Sequence, residues 1–171
     1  MTTQSNVDLA DFVGTWALNN EKTAVNFRTR ALWLFRAKGT LQATEGTAHV
    51  GSDGRFSCEI VIDPVSIDTK IKKRDDHLRS ADFFDVANFP TITFKVSELR
   101  SALSGNVLVL GNLAIHGRST PLTLLAQLGR AGESASLSTQ VVVTKEMLGM
   151  KKANLIKSWV TMSAHFDLVR S

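Results

Sequence analysis

A single cysteine, an absence of tyrosine and only three prolines mark this 171-residue sequence. Cys58 has no partner for an internal disulfide, a zinc finger or a CxxC redox pair, which removes the disulfide-stapled and thiol-redox classes. It alternates with apolar residues between positions 56 and 60. We therefore expect a buried, inert thiol rather than a nucleophile.

Long apolar runs and a signal-like start are also missing. The first eight residues lack the basic start and the apolar stretch of about 7–15 residues that a secretory signal needs. The longest apolar runs, 31–35 and 107–110, fall far short of the ~20 residues that span a bilayer. From the chain as written we expect a soluble, cytoplasmic protein with no stable membrane insertion.

The charge excess is mild, with 20 basic against 16 acidic residues and a formal net charge of +4. Basic residues gather at 70–79 and again at 145–157. Such groups are compatible with transient contact with an anionic membrane surface, although a solvated face is the simpler interpretation. Because no basic stripe is interleaved with aromatic stacking partners, we expect no nucleic-acid partner.

Motifs for cofactor and metal chemistry are absent. The sequence has no GxxxxGK[ST] phosphate loop, no GxGxxG after a strand and no HExxH. Its four histidines, at 49, 77, 116 and 165, have no second histidine two or four residues away. We therefore expect no catalytic residue, no metal site and no cofactor.

Period-two alternation of apolar and polar residues dominates what is present. Such alternation is typical of half-buried strands, and turn signals at 51–54, 104–106, 116–118 and 129–133 separate the runs. Regular short strands with tight connections indicate a barrel or a sandwich in one domain. The alternating runs cover residues 25–29, 56–62, 92–96, 107–115, 122–128, 137–143 and 160–168.

Two segments interrupt the alternation. Residues 71–80 are rich in Lys, Arg and Leu without Gly or Pro, which predicts a short helix, and Ser80 precedes a second turn before Pro90. Residues 145–150 predict another single turn. The polar cluster 74–80 is best explained by charges that pair across helical turns. Periodicity alone leaves open whether the interior is a filled core or a ligand cavity.

Several ordered motifs resemble the YceI-like family. Residues 74–85, RDDHLRSADFFD, followed by FPTITF at 89–94, resemble its central signature. Residues 25–27 with 39–41 resemble its opening strands, and 111–121 resembles its G-x-L-T-I-x-G-x-T-x-P segment. The resemblance runs from Trp16 to Val169, which is nearly the whole chain.

The resemblance implies an all-β fold, a lipocalin-like antiparallel barrel of about eight strands with short helical insertions near 71–86 and 145–150. Residues 14–171 would form one YceI-like domain behind a flexible segment, 1–13. It further implies a hydrophobic tunnel for polyisoprenoids or other long-chain amphiphiles, and a homodimer. The chain departs from the family at positions that can contact a ligand head or close the barrel, which are Lys22, Thr23, Ala31 and Lys145.

The leading hypothesis is non-enzymatic binding, sequestration or transport of such a lipid, with a lid at 71–89 held by Phe83, Phe84 and Phe89. Apolar burial at about 25 cal/mol per Å² supplies affinity without directional contacts. The expected tunnel lining comes from the alternating rows and comprises Phe27, Ile60, Ile92, Phe94, Leu113, Ile115, Leu124 and Phe166.

Two alternatives stay open at this point. An enzyme on the same barrel would use His77 or His116 with a nearby carboxylate on a hydrophobic substrate. A protein-interaction module would have a filled barrel and an exposed apolar patch.

Overall fold

Nine strands and one α-helix make up the computed structural model, which describes residues 7–31, 36–149 and 156–171. The helix α1 is Lys72–Arg79, and short 3₁₀ turns lie at Leu9–Phe12 and Leu103–Gly105. The strands are β1 Gly14–Leu18, β2 Ala24–Ala31, β3 Arg36–Val50, β4 Phe56–Asp68, β5 Ile92–Ser101, β6 Asn106–Ile115, β7 Arg118–Ala131, β8 Ser134–Thr144 and β9 Ile156–Arg170.

Eight of these strands close into an antiparallel barrel. Around the ring the order is β2-β9-β8-β7-β6-β5-β4-β3, and pairing of β3 with β2 completes the circle. Short turns join β3 to β4, β5 to β6, β6 to β7 and β7 to β8, where the sequence carries its Gly-containing turn signals. The all-β, lipocalin-like barrel expected from the sequence is thus confirmed.

The ninth strand, β1, shares a position in the ring with β2. Both are antiparallel to β3 and β9, but β1 pairs with residues 47–50 and 168–170, whereas β2 pairs with 36–41 and 156–165. The two are successive segments of one strand position, separated by residues 19–23. At this break Asn20 Nδ2 donates to the Thr44 carbonyl at 2.8 Å. The long strands β3 and β9 are therefore paired over most of their length.

Inward-facing side chains of the alternating rows form the core, as the pattern predicts. Strand β3 departs from a single alternating row, because its inward face changes phase. Leu41 and Ala43 face inward, and so do Ala48 and Val50. The register shifts between Ala43 and Glu45, where one extra residue is accommodated. Such a bulge reverses which residues of a strand face the interior.

The insertion between β4 and β5 is helical only in its first half. Beyond α1 the chain continues through turns, in which the Phe84 amide donates to the Leu78 carbonyl at 2.9 Å and the Val86 amide to the Arg79 carbonyl at 3.1 Å. Asp85 adopts a left-handed conformation with φ 47°. The second expected insertion, 145–150, is a turn in which Leu148 donates to the Thr144 carbonyl. Its last residue, Met150, lies outside the described residues.

The residues before β1 pack on one end of the barrel. Phe12 is buried, and its carbonyl accepts a hydrogen bond of 2.7 Å from Trp16 Nε1. The Ser101 hydroxyl donates to the Val7 carbonyl at 2.9 Å. A boundary at residue 13 between a flexible segment and the barrel stays a prediction.

The two ends of the barrel differ. We call the end that carries α1, the His116–Gly117 turn and the 145–149 turn the helix end. The opposite end, with the Leu9–Phe12 turn, we call the terminal end. It is closed by Trp16. The Arg170 guanidinium lies over the Trp16 ring, 4.7 Å from the ring centroid. Within the described residues, no helix has the length and hydrophobicity to cross a bilayer.

Candidate functional site

Residues of the described part of the chain line two cavities in the interior of the barrel. The larger, of about 440 Å³, lies at the helix end and is lined by α1 residues together with β2, β3, β4, β5, β6 and β9. The smaller, of about 140 Å³, lies at the terminal end beneath Phe12 and Trp16. The larger volume falls in the range of about 300–1,000 Å³ that is typical of ligand pockets. A cavity of this size argues against the filled barrel of the interaction-module alternative.

All eight residues expected to line a tunnel face these cavities. Their places follow from the alternation, because each lies on the inward row of its strand. Their use in ligand binding stays a proposal. Phe27, Ile92 and Ile115 line the larger cavity, Ile60, Phe94, Leu124 and Phe166 line the smaller one, and Leu113 lines both.

The smaller cavity is almost wholly apolar. Thr139 is the one residue with a hydroxyl in its described lining. Cys58 also lines it, and burial, reinforced by the nearby Glu59 carboxylate, raises the pKa of the Cys58 thiol to about 12. The thiol is therefore uncharged at neutral pH, as expected for an inert cysteine. A cavity of this chemistry suits a hydrocarbon chain.

The larger cavity is apolar within and cationic at one side. Lys73, Arg74 and His77 of α1 contribute to its lining. Lys73 is exposed and forms no ion pair with a carboxylate of the described residues. The Arg74 guanidinium donates to the hydroxyl and the carbonyl of Thr69, both at 2.8 Å. Polar groups that can meet a ligand therefore gather at the helix end.

Hydrogen bonds from the central signature clamp α1 to the end of β4. The buried Asp75 carboxylate accepts from the Thr69 amide at 2.9 Å and from the Thr69 hydroxyl at 2.5 Å. Arg79 donates to the carbonyls of Val65 and Ile67, at 2.9 and 2.8 Å. These side chains satisfy backbone groups of an irregular connection. In this structure they hold the helix over the larger cavity.

Aromatic rings complete this end of the barrel. Phe83 is buried in the core and meets the His77 ring edge-on, with centroids 4.9 Å apart. The Phe89 ring lies 4.8 Å from that of His116. Phe84 is half-buried and lines the larger cavity. The three phenylalanines thus pack the 71–89 segment on the barrel, as the lid hypothesis requires.

The histidines of the enzymatic alternative have different surroundings. His77 Nε2 lies 3.4 Å from Asp82 Oδ2, and both side chains are about half exposed. His116 lines neither cavity in the part of the chain that is described, and its Nε2 is buried without a hydrogen-bond partner there. No group of three or more metal-ligating side chains comes together among the described residues. Of these two histidines, only His77 lines a cavity in the described residues.

Three of the four positions at which the chain departs from the YceI-like motifs lie away from the cavities. Lys22, Thr23 and Lys145 line neither one in the described lining, and Thr23 Oγ1 instead accepts from the Asp167 amide at 3.2 Å. Ala31 ends β2, and its side chain lies outside the described residues. Sequence reasoning missed the cavity contacts of Lys73 and Arg74. The helical period of 71–80 carries a signal for them, because it places residues 73, 74 and 77 on one face.

A closed eight-stranded antiparallel barrel with an apolar interior defines a lipocalin-like barrel. The YceI-like domain matches residues 16–168 of the chain. The chain therefore belongs to the family of YceI-like domains, as its motifs indicated.

Two curated relatives illustrate the similarity. A UPF0312 protein of Vibrio cholerae is 30% identical over 112 residues, which cover 64% of this chain and 59% of that protein. Protein YceI of Salmonella arizonae is 36% identical over 115 residues, which cover 64% of this chain and 58% of that protein. The matched part of the chain spans about three fifths of the length of these relatives.

Solved structures share the fold. BcnA of Burkholderia cenocepacia superposes with a TM-score of 0.75 at 18% identity, over 88% of this chain and 98% of that chain. A polyisoprenoid-binding domain from Saccharophagus degradans, described as implicated in plant cell wall breakdown, gives 0.73 at 15% identity, over 91% and 98%. At these identities the likeness shows the barrel alone.

Proposed function

We propose that the protein binds a polyisoprenoid or similar long-chain amphiphilic lipid inside its barrel, without chemical turnover. The observation that carries the proposal is the pair of apolar cavities, which follow each other along the barrel axis from the helix end to the terminal end. The structural relative from Saccharophagus degradans, a polyisoprenoid-binding domain, provides a precedent on the same fold.

The energetics favour a hydrocarbon chain over a polar substrate. Each buried methylene-sized group contributes about 0.8 kcal/mol. A chain of several isoprene units thus offsets the cost of association without a specific hydrogen bond. We place its tail among the eight lining residues named above.

The ligand's polar head belongs at the helix end in this proposal. Lys73, Arg74 and His77 are there, and the described lining of the smaller cavity offers only the hydroxyl of Thr139. A buried polar head at the terminal end would lose hydration without a partner, which is unfavourable. The tail therefore points from α1 towards Trp16.

Sequestration or transport, a homodimer and a cytoplasmic location complete the proposal. Sequestration or transport and the homodimer derive from the resemblance to the family. Transient contact with an anionic membrane surface, through the basic groups at 70–79 and 145–157, would allow the lipid to be exchanged.

Lipid uptake by variants of β6 tests the proposal. Delipidated protein is titrated with geranylgeraniol, and bound lipid is measured after filtration. Ile115→Glu puts a charge in the larger cavity, and we expect uptake to be lost. Ala114→Glu is the matched control, because Ala114 is the exposed neighbour on the outer face, and its uptake should equal that of the wild type.

Circular dichroism shows whether each variant is folded. Should Ile115→Glu unfold, Ile115→Thr introduces a hydroxyl with a smaller change of shape and should weaken binding several-fold. Unchanged uptake in a folded Ile115→Glu variant would contradict the proposed site. Absence of uptake by the wild type would contradict the function itself.

A further inference from the structure

Among the described residues, three side chains line both cavities, and they come from opposite walls of the barrel. They are Ile62 of β4, Leu113 of β6 and Met162 of β9. In the eight-stranded ring β9 lies three positions from β6 in one direction and three from β4 in the other. Met162 therefore faces Ile62 and Leu113 across the interior. We call these three residues the septum.

All three strands place the boundary between the cavities at the same level. Each septum residue stands between an inward residue of its own strand that lines only the smaller cavity and another that lines only the larger. The flanking residues that line only the smaller cavity are Ile60 on β4, Val109 on β6 and Ala164 on β9. Those that line only the larger cavity are Ile67, Ile115 and Val160 on the same three strands. The septum is thus a layer of the barrel.

The septum has one adaptable member. Ile62 and Leu113 are buried, branched side chains in paired regions of their strands. Met162 is unbranched, with three rotatable bonds and a polarizable sulfur, so that it adjusts to different neighbours at little cost. Of the three septum residues, Met162 is therefore the one whose side chain moves aside at the least cost.

We propose that the septum selects ligands by the length of their hydrocarbon chain, with Met162 as the movable gate. This inference rests on the proposed function. A short chain lies wholly in the larger cavity beneath α1. A longer chain displaces Met162 and continues into the smaller cavity, where it gains further apolar burial. Binding therefore falls into two length classes, and affinity rises with length in two steps.

A series of prenyl alcohols with one head group tests the inference. Affinities for geraniol, farnesol, geranylgeraniol and solanesol are measured for the wild type, Met162→Phe and Met162→Ala. The bulkier side chain of Met162→Phe should leave the affinity for the shortest alcohol within about twofold of the wild-type value. It should weaken the affinity for the longest alcohol at least about tenfold, because it overpacks the septum. Met162→Ala should strengthen binding of the longest alcohol relative to that of the shortest. It should also remove the break between the two steps in the plot of affinity against chain length.

Val160→Ala is the matched control. Val160 lies two residues away on the same inward face, but it lines only the larger cavity. This variant enlarges that cavity and leaves the septum in place, so the break in affinity against length should persist. If Met162→Phe does not fold, Met162→Ala and Val160→Ala still decide the comparison.

The possible outcomes distinguish failure of the septum inference from failure of the proposed function. If the wild type binds the series but neither Met162 variant changes the ratio of long-chain to short-chain affinity, the septum inference is wrong and the proposed function stands. The same holds if Val160→Ala changes that ratio as much as Met162→Ala does. If no prenyl alcohol binds the wild type, both fall together.

Discussion

The Phe27 ring lies against Gly39, its direct partner across β2 and β3. A Cβ atom at Gly39 would stand 2.6 Å from Cζ of Phe27 and 2.9 Å from the Asp68 carbonyl oxygen. Both distances are shorter than van der Waals contact allows. Gly39 therefore leaves room for an aromatic ring that lines the larger cavity, which gives a physical reason for this glycine in the opening-strand motif.

Replacing Gly39 by alanine tests this packing. Because the new methyl group meets both the ring and a backbone oxygen, we expect Gly39→Ala to lower the free energy of unfolding by about 1–3 kcal/mol. Displacement of Phe27 should also weaken prenyl-alcohol binding. Lys38→Ala, an exposed neighbour on β3, should leave both properties close to wild type. Chemical denaturation measures the stability and lipid titration measures the binding. A Gly39→Ala variant with the stability and lipid affinity of the wild type would contradict the assigned contact.

The clamp between Thr69 and Asp75 makes a second prediction. Asp75→Ala leaves the buried amide and hydroxyl of Thr69 without their acceptor, which costs about 1–3 kcal/mol. We expect faster amide hydrogen exchange in residues 69–91, with little change in β6–β8. Asp76→Ala is the control on the same helix, because Asp76 makes exposed ion pairs with Lys72 and Arg79 that contribute little. Equal effects of the two variants would contradict the clamp.

A third prediction concerns the ionisation of Cys58, the one cysteine of the chain. Burial raises the pKa of its thiol from 9.0 to about 12, so the native thiol stays protonated where an unfolded one ionises. At pH 9 the native thiolate fraction is about one in a thousand, against about one half when unfolded. Alkylation by iodoacetamide should be slower by roughly the same factor in the native protein.

The sign of the accompanying pH effect on stability follows from the same shift. The folded-state pKa lies above the unfolded value, so the contribution is fully present below pH 9.0 and is lost as the pH rises towards about 12. Cys58→Ala should flatten the fall in unfolding free energy over that window. Native alkylation as fast as that of urea-unfolded protein would show that the thiol does not lie in the cavity wall as described.

Much of the barrel could be predicted because its strands obey period two. Rows such as Ile92, Phe94 and Val96 place alternate side chains inside, and the structure has them there. Strand β3 carried no such signal, since its bulge between Ala43 and Glu45 changes which residues face inward. The shared ring position of β1 and β2 also escapes local patterns, because it depends on pairing with the two long strands β3 and β9.

The cavities could be predicted only in part. Alternation identified residues that face inward, but packing and empty space use the same apolar side chains. The septum depends on which residues of β4, β6 and β9 meet across the barrel, and this is fixed by strand register rather than by any local spacing. The contribution of Lys73 and Arg74 to the larger cavity depends likewise on how the Thr69 contacts orient α1.

Native mass spectrometry of the freshly purified protein, combined with solvent extraction, tests the central claim most directly. The account predicts a stoichiometric long-chain adduct that extraction releases, and one-to-one uptake of geranylgeraniol by the emptied protein. A lipid supplied by the expression host would itself show that the barrel accepts such chains. An adduct-free mass together with no uptake of any added prenyl lipid would contradict the claim that this barrel is a lipid carrier.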